Sequence, residues 1–148
     1  MKKFLLILGA IFLVIVVLIA AIGIWGSIEN GKLKPSVEAF VDEFYKDVDG
    51  QAYQQIWDSL LTKEFQNSTN YEEFEKFLTA IHQKLGSLRS KSEQTWRINQ
   101  APDGLYYAVN YKTIRENGEA LENLTLKRKG NGFWLLRGYN VNSKQLFQ

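Results

Sequence analysis

The sequence predicts an α+β fold: an N-terminal transmembrane helix, then three helices packed on a bent four-stranded antiparallel sheet. Three observations carry this. Apolar residues recur with a period near 3.6 from Pro35 to Leu85. After Leu88 the period changes to 2, with turn residues at regular intervals. Ahead of both, Phe4 to Trp25 runs for 22 residues without a charged, amide or hydroxyl side chain.

About 20 apolar residues suffice to cross the ~30 Å hydrocarbon core of a bilayer as a helix. Lys2 and Lys3 precede the run, so the positive-inside rule places the N-terminus in the cytoplasm and the remainder outside. A signal peptide's apolar region is shorter, about 7–15 residues, although Ala21-Ile22-Gly23 offers a small-residue cleavage pattern. The division expected is 1–27 for stub and anchor, 28–34 for a linker and 35–148 for an extracytoplasmic domain on the inner membrane of a bacterial envelope. Gly26 to Lys34 reads as that polar linker, with two glycines.

Pro35 suits a helix's first turn. Val37, Phe40, Val41, Phe44 and Val48 then form one stripe, ended by Asp49-Gly50. A second helix is expected over 51–65, with Tyr53, Ile56, Trp57, Leu60 and Leu61 inward. Asn67 to Asn70 is a loop, and Asn70 with Glu73 reads as a cap. The third helix spans 71–85, with Phe74, Phe77, Leu78, Ile81 and Leu85 inward and Gly86 at its end.

Strands follow at 90–99, 105–114, 120–127 and 133–141. Pro102-Asp103-Gly104, Asn117-Gly118 and Lys129 to Gly132 are the turns between them. Leu105, Tyr107, Val109, Tyr111 and Thr113 share one face. The fourth segment is apolar on both faces, as a covered central strand would be, and Gly138 suggests a bulge in it.

Charge and composition exclude several classes. Residues 28–88 carry 6 Lys/Arg against 11 Asp/Glu, and residues 89–148 carry 10 against 5. The two halves cancel, so the formal +2 comes from Lys2 and Lys3 and no nucleic-acid role is expected. One histidine and no cysteine leave no disulfide, no thiol chemistry and no transition-metal set, and no cofactor is expected.

Candidate chemistry is thin. His82, at the edge of the third helix's apolar face, is a candidate acid or base. Glu122 shares a face with Leu124 and Leu126, which points a carboxylate inward. In an apolar cleft its pKa would rise and suit it to proton abstraction; otherwise it pairs with Arg97 or Arg137, or a bulge turns it outward. Trp57, Trp96, Tyr107, Tyr111, Trp134 and Tyr139 are candidates for lining a pocket between helices and sheet.

The tail APDGLYYAVNYKTIRENGEALENLTLKRKGNGFWLLRGYNV resembles bacterial domains of unknown function with the nuclear-transport-factor-2-like (cystatin-like) fold. The matching positions are Pro102-Asp103-Gly104, Glu122 with Leu124, Gly132 with Trp134, and Gly138-Tyr139. Asp49-Gly50, Tyr53 and Trp57 give the helical half's spacing. The resemblance implies a cone-shaped helix-covered sheet over about 35–141 and transfers no catalytic residue. Such folds include ketosteroid-isomerase-type enzymes and membrane-tethered domains such as a subunit of type IV secretion assemblies. The function expected is therefore a membrane-anchored binding or assembly domain without catalysis. It would recognise a small apolar ligand, an envelope protein partner or a second copy. The alternative is a small isomerase- or hydrolase-like enzyme using Glu122.

Overall fold

A computed structural model describes residues 2–147, with side chains described at 17, 20, 21 and 27–147. The chain divides into two compact units, Met1–Pro35 and Ser36–Gln148. Most side chains of the expected span Phe4 to Trp25 lie outside the described residues. Among the described residues, no helix is long and apolar enough to cross a membrane.

The first helix, α1 (Lys2–Asp49), runs through the stretch expected to be a linker. Glycine costs a helix about 1 kcal/mol relative to alanine. Here Glu29, Lys32, Leu33 and Lys34 are good helix formers, and Glu29 pairs with Lys32 one turn on at 3.5 Å. Pro35 therefore sits inside the helix rather than at its start. From Ser36 onward the expected stripe is buried: Val37, Phe40, Val41, Phe44 and Val48, with Tyr45 beside it.

The second expected helix is two: α2 (Tyr53–Ser59) and α3 (Lys63–Ser68). The break has a cause. Thr62 Oγ1 accepts from Phe65 N at 3.1 Å and starts α3 as its cap. The chain before it turns to the sheet, where Leu136 N donates to Leu60 O (2.7 Å) and Thr62 N to Leu136 O (3.0 Å). Next, α4 (Tyr71–Leu85) starts where expected, with Asn70 Oδ1 accepting from Glu73 N at 3.0 Å. Phe74, Leu78, Ile81 and Leu85 are buried, but Phe77 is 37% exposed.

Four strands follow, β1 (Leu88–Ala101), β2 (Gly104–Arg115), β3 (Gly118–Arg128) and β4 (Trp134–Asn142). They form one antiparallel meander in sequence order. This makes β4 an edge strand, not a central one. Its apolar character is explained by the parallel bridge of Leu61 to Leu136, which covers the edge near its start. The expected irregularity is there: Thr125 pairs with Gly138 and Leu126 with Leu136, which leaves Arg137 as the extra residue. The β2–β3 turn is Glu116-Asn117. Only Gly118 has positive φ there, so the Asn-Gly signal marks the hairpin without a type I′ turn. A 3₁₀ turn, Lys144–Phe147, ends the described chain.

Alternation buries Tyr107, Val109, Tyr111 and Thr113 on β2. Leu124 and Leu126 on β3 join them, with Trp134 and Leu136 on β4. The fold is α+β, four antiparallel strands with helices packed on the sheet.

Candidate functional site

The inner face of the sheet carries two charged residues among these apolar ones. Glu122 is 1% exposed and Arg115 is 2% exposed. Their positions follow from strand alternation, since Arg115 is two residues beyond Thr113 and Glu122 is two before Leu124. Glu122 accepts five hydrogen bonds. Oε1 takes Arg115 Nε and Thr113 Oγ1, both at 2.8 Å. Oε2 takes Tyr139 Oη at 2.6 Å, Tyr45 Oη at 3.0 Å and Arg115 Nη2 at 3.2 Å. Arg115 Nη1 donates to Gly86 O at 3.2 Å and lies 3.7 Å from Asp49 Oδ1. The guanidinium also lies 5.6 Å from the centre of the Tyr45 ring.

The carboxylate is thus held ionised. Burial pushes its pKa up, but the bonds and charge of Arg115, with Tyr139 and Thr113, outweigh burial and hold it below the usual carboxylate range. Burial, then the Glu122 charge, raises the Tyr45 and Tyr139 phenols, so both stay protonated donors. The expected raised pKa of Glu122 is therefore corrected, and so is its partner. Arg97 is exposed on the opposite face of β1, and Arg137 is the bulged residue of β4.

The other candidates separate. His82 Nε2 lies 3.3 Å from Gln51 Nε2, while its Nδ1 is buried without a partner among the described residues. Trp57 packs between Tyr71 and Phe74. Trp96 stacks on Tyr107 at 6.3 Å, and Tyr107 meets Trp134 edge-on at 6.1 Å. Burial pushes the Tyr107 phenol up to about 12, with the Glu93 and Glu38 charges adding to it. Tyr111 donates to Glu38 at 2.7 Å, beside a Glu38–Lys91 ion pair of 2.5 Å. Tyr139 belongs to the Glu122 cluster and packs against Phe44 at 5.0 Å.

Of these six aromatic candidates, Trp134 lines a surface cleft of the second unit. That cleft, about 470 Å³, lies between α1, the end of α2 and the β3–β4 loop. Its apolar lining includes Phe40, Leu60, Phe133 and Leu135, and its charged residues are Glu43 and Lys129. Trp134 Nε1 donates to Ser36 Oγ at 2.9 Å, which fixes the ring. Phe133 stands 70% exposed at the opening. Sequence patterning could not find this site, because Phe133 reads as a strand residue and Phe40 as core. The one available signal was Phe133's place beside Gly130-Asn131-Gly132, where a turn leaves a side chain in solvent.

A family described as a protein of unknown function (DUF4019) matches residues 41–139. The chain belongs to the DUF4019 family. The match spans both Glu122 and Trp134. Similar solved structures include ActVI-ORFA from Streptomyces coelicolor, at 16% identity, 76% of this chain, 98% of that chain and a TM-score of 0.46. Aln2 from another Streptomyces is similar at 14% identity, 78% and 94% coverage and a TM-score of 0.48. A chain from Catenulispora acidiphila is similar at 13% identity, 77% and 93% coverage and a TM-score of 0.46. No curated protein matches. The expectation of a membrane-anchored, catalysis-free envelope domain is withdrawn. Among the described residues no helix is long and apolar enough to cross a membrane, and most side chains of Phe4 to Trp25 lie outside them.

Proposed function

We propose that this DUF4019 domain binds a small molecule in the cleft between α1 and the β3–β4 loop. The observation that carries the reading is an apolar hollow of about 470 Å³ with an exposed phenylalanine at its opening. Small-molecule sites occupy roughly 300–1,000 Å³, with apolar walls and a few polar groups. The hollow has aromatic walls from Phe40, Phe133 and Trp134. Its polar groups are few and sit on two sides, Glu43 on α1 and Lys129 with Asn131 on the loop.

The domain's other buried polar centre is unsuited to a ligand. Glu122 has five donors around it and no exposed side-chain surface. If the domain turns its ligand over, the reacting groups are those of the cleft. Ala39 lines the cleft from an exposed helix position, so Ala39→Trp fills it without touching the core. The test is equilibrium dialysis of the full chain against aromatic probe molecules. Saturable binding that Ala39→Trp removes supports the reading. Binding that is unchanged in Ala39→Trp, or none at all, overturns it.

A further inference from the structure

The chemistry of the cleft's walls narrows its ligand, given that the cleft is a binding site. Two observations bear on charge. Three aromatic rings, Phe40, Phe133 and Trp134, line one hollow. The indole's single donor is already used on Ser36 Oγ at 2.9 Å, so Trp134 has only its ring to offer a ligand. That indole already attracts a cation, since the Arg128 guanidinium lies 5.9 Å from its centre. An aromatic face carries negative potential, and trap-like sets of such rings recognise ammonium groups.

The second observation is Glu43. It lies on α1 three residues after Phe40, one helical turn along the same wall. Among the described residues it has neither an ion pair nor a side-chain hydrogen bond, whereas Glu38 and Asp42 on the same helix are both engaged by Lys91. A carboxylate with open acceptors beside three rings presents one charge requirement. Lys129 and the Arg128 guanidinium over Trp134 are the opposing charges; Glu43 and Lys129 are both exposed, but Glu43 is the one carboxylate of the lining and stands on the helix wall beside Phe40, whereas Lys129 ends a long side chain on a loop.

We infer that the cleft selects an organic cation, an ammonium group carried on an apolar body, with Glu43 as counter-ion and Phe133 and Trp134 against the cation or its adjoining carbons. The ligand class is a hydrophobic amine.

The experiment uses three probes with one apolar body: naphthylmethylammonium, naphthylmethanol and naphthoate. Each is titrated into the full chain, the Glu43→Gln chain, the Lys129→Ala chain and the Ala39→Trp chain by equilibrium dialysis. The ammonium probe is expected to bind about tenfold more tightly than the alcohol, the size of a partly desolvated cation–ring contact with a counter-ion. Glu43→Gln is expected to erase that preference and leave the alcohol's affinity unchanged. Lys129→Ala is expected to tighten the ammonium probe a few-fold. If all three probes bind alike and Ala39→Trp abolishes them all, the cleft stands as a site and the cation inference falls. Tighter binding of naphthoate overturns it as well. If no probe binds in a saturable way, the cleft reading itself fails.

Discussion

The Glu122 cluster and the Trp134 cleft both set charge against aromatic rings, and they are built in opposite ways. Around Glu122, every acceptor is filled, the partners come from α1, β2 and β4, and water is shut out. At the Trp134 cleft, Glu43 has no ion pair among the described residues, Phe133 is 70% exposed, and there is empty volume. Removing one partner from a buried pair leaves an uncompensated charge, whereas an exposed charge is already solvated. The cluster therefore holds the fold together, and the cleft leaves a charge and an aromatic ring open to solvent.

The sharpest way to break this comparison is to remove one partner at each place. Arg115→Ala strands the Glu122 carboxylate in the core and takes the guanidinium donor from Gly86 O. The expected loss is about 3–5 kcal/mol of stability, measured by urea denaturation. Glu43→Gln is expected to stay within about 0.5 kcal/mol of wild type. Similar losses for both would erase the distinction between the two places.

Acid tests the same cluster by another route. Glu122 has a folded-state pKa below its unfolded value. Its contribution is therefore fully present above the unfolded pKa and is lost as pH falls through the folded one. Stability should drop steadily from about pH 5 downward, because an unfolded glutamate titrates near 4.3. In Glu122→Gln the chain starts less stable, and this part of the slope is missing. A variant whose denaturation midpoint falls as steeply with acid as wild type would show that other carboxylates carry the slope.

How much of this was legible in the sequence differs between the two regions. Period-2 alternation already places Glu122 inward, two residues before Leu124, and the same rule places Arg115 inward after Thr113. That Arg115 rather than Arg97 or Arg137 is the partner depends on β1 and β4. Arg97 faces away from the helices, and Arg137 is displaced by a bulge that no propensity announces. The helix boundaries failed where tertiary contacts outweighed local preference. Leu60 to Thr62 continue a helical pattern, yet their backbone serves the edge of β4. The cleft was the least legible part, because it comes from the gap between a loop and two helices. Phe40 and Trp134 look the same in sequence whether they fill a core or line a hollow.

The cluster's phenols sharpen the contrast further. Tyr139 donates to Glu122 at 2.6 Å and Tyr45 at 3.0 Å. Bonds to a charged group contribute about 1.5–3 kcal/mol each. Tyr139→Phe removes the shorter bond and leaves the Phe44 contact, so a loss near that range is expected, with a smaller one for Tyr45→Phe. Thermal unfolding of both variants checks the order. Equal and negligible losses would mean that Arg115 and Thr113 alone satisfy the carboxylate.

The smallest stability effect is expected at the cleft's opening. Phe133→Ala takes away a ring that is mostly in water, so the fold loses little burial energy. Lys129 N to Phe133 O, at 2.7 Å, and Phe133 N to Asn131 Oδ1, at 3.2 Å, hold the loop through atoms the substitution keeps. A melting temperature close to that of wild type is therefore expected, together with weaker probe binding. The pairing of those two results matters more than either alone. A surface phenylalanine kept for stability would move the melting temperature and leave binding untouched, whereas one kept as a wall of the cleft does the reverse.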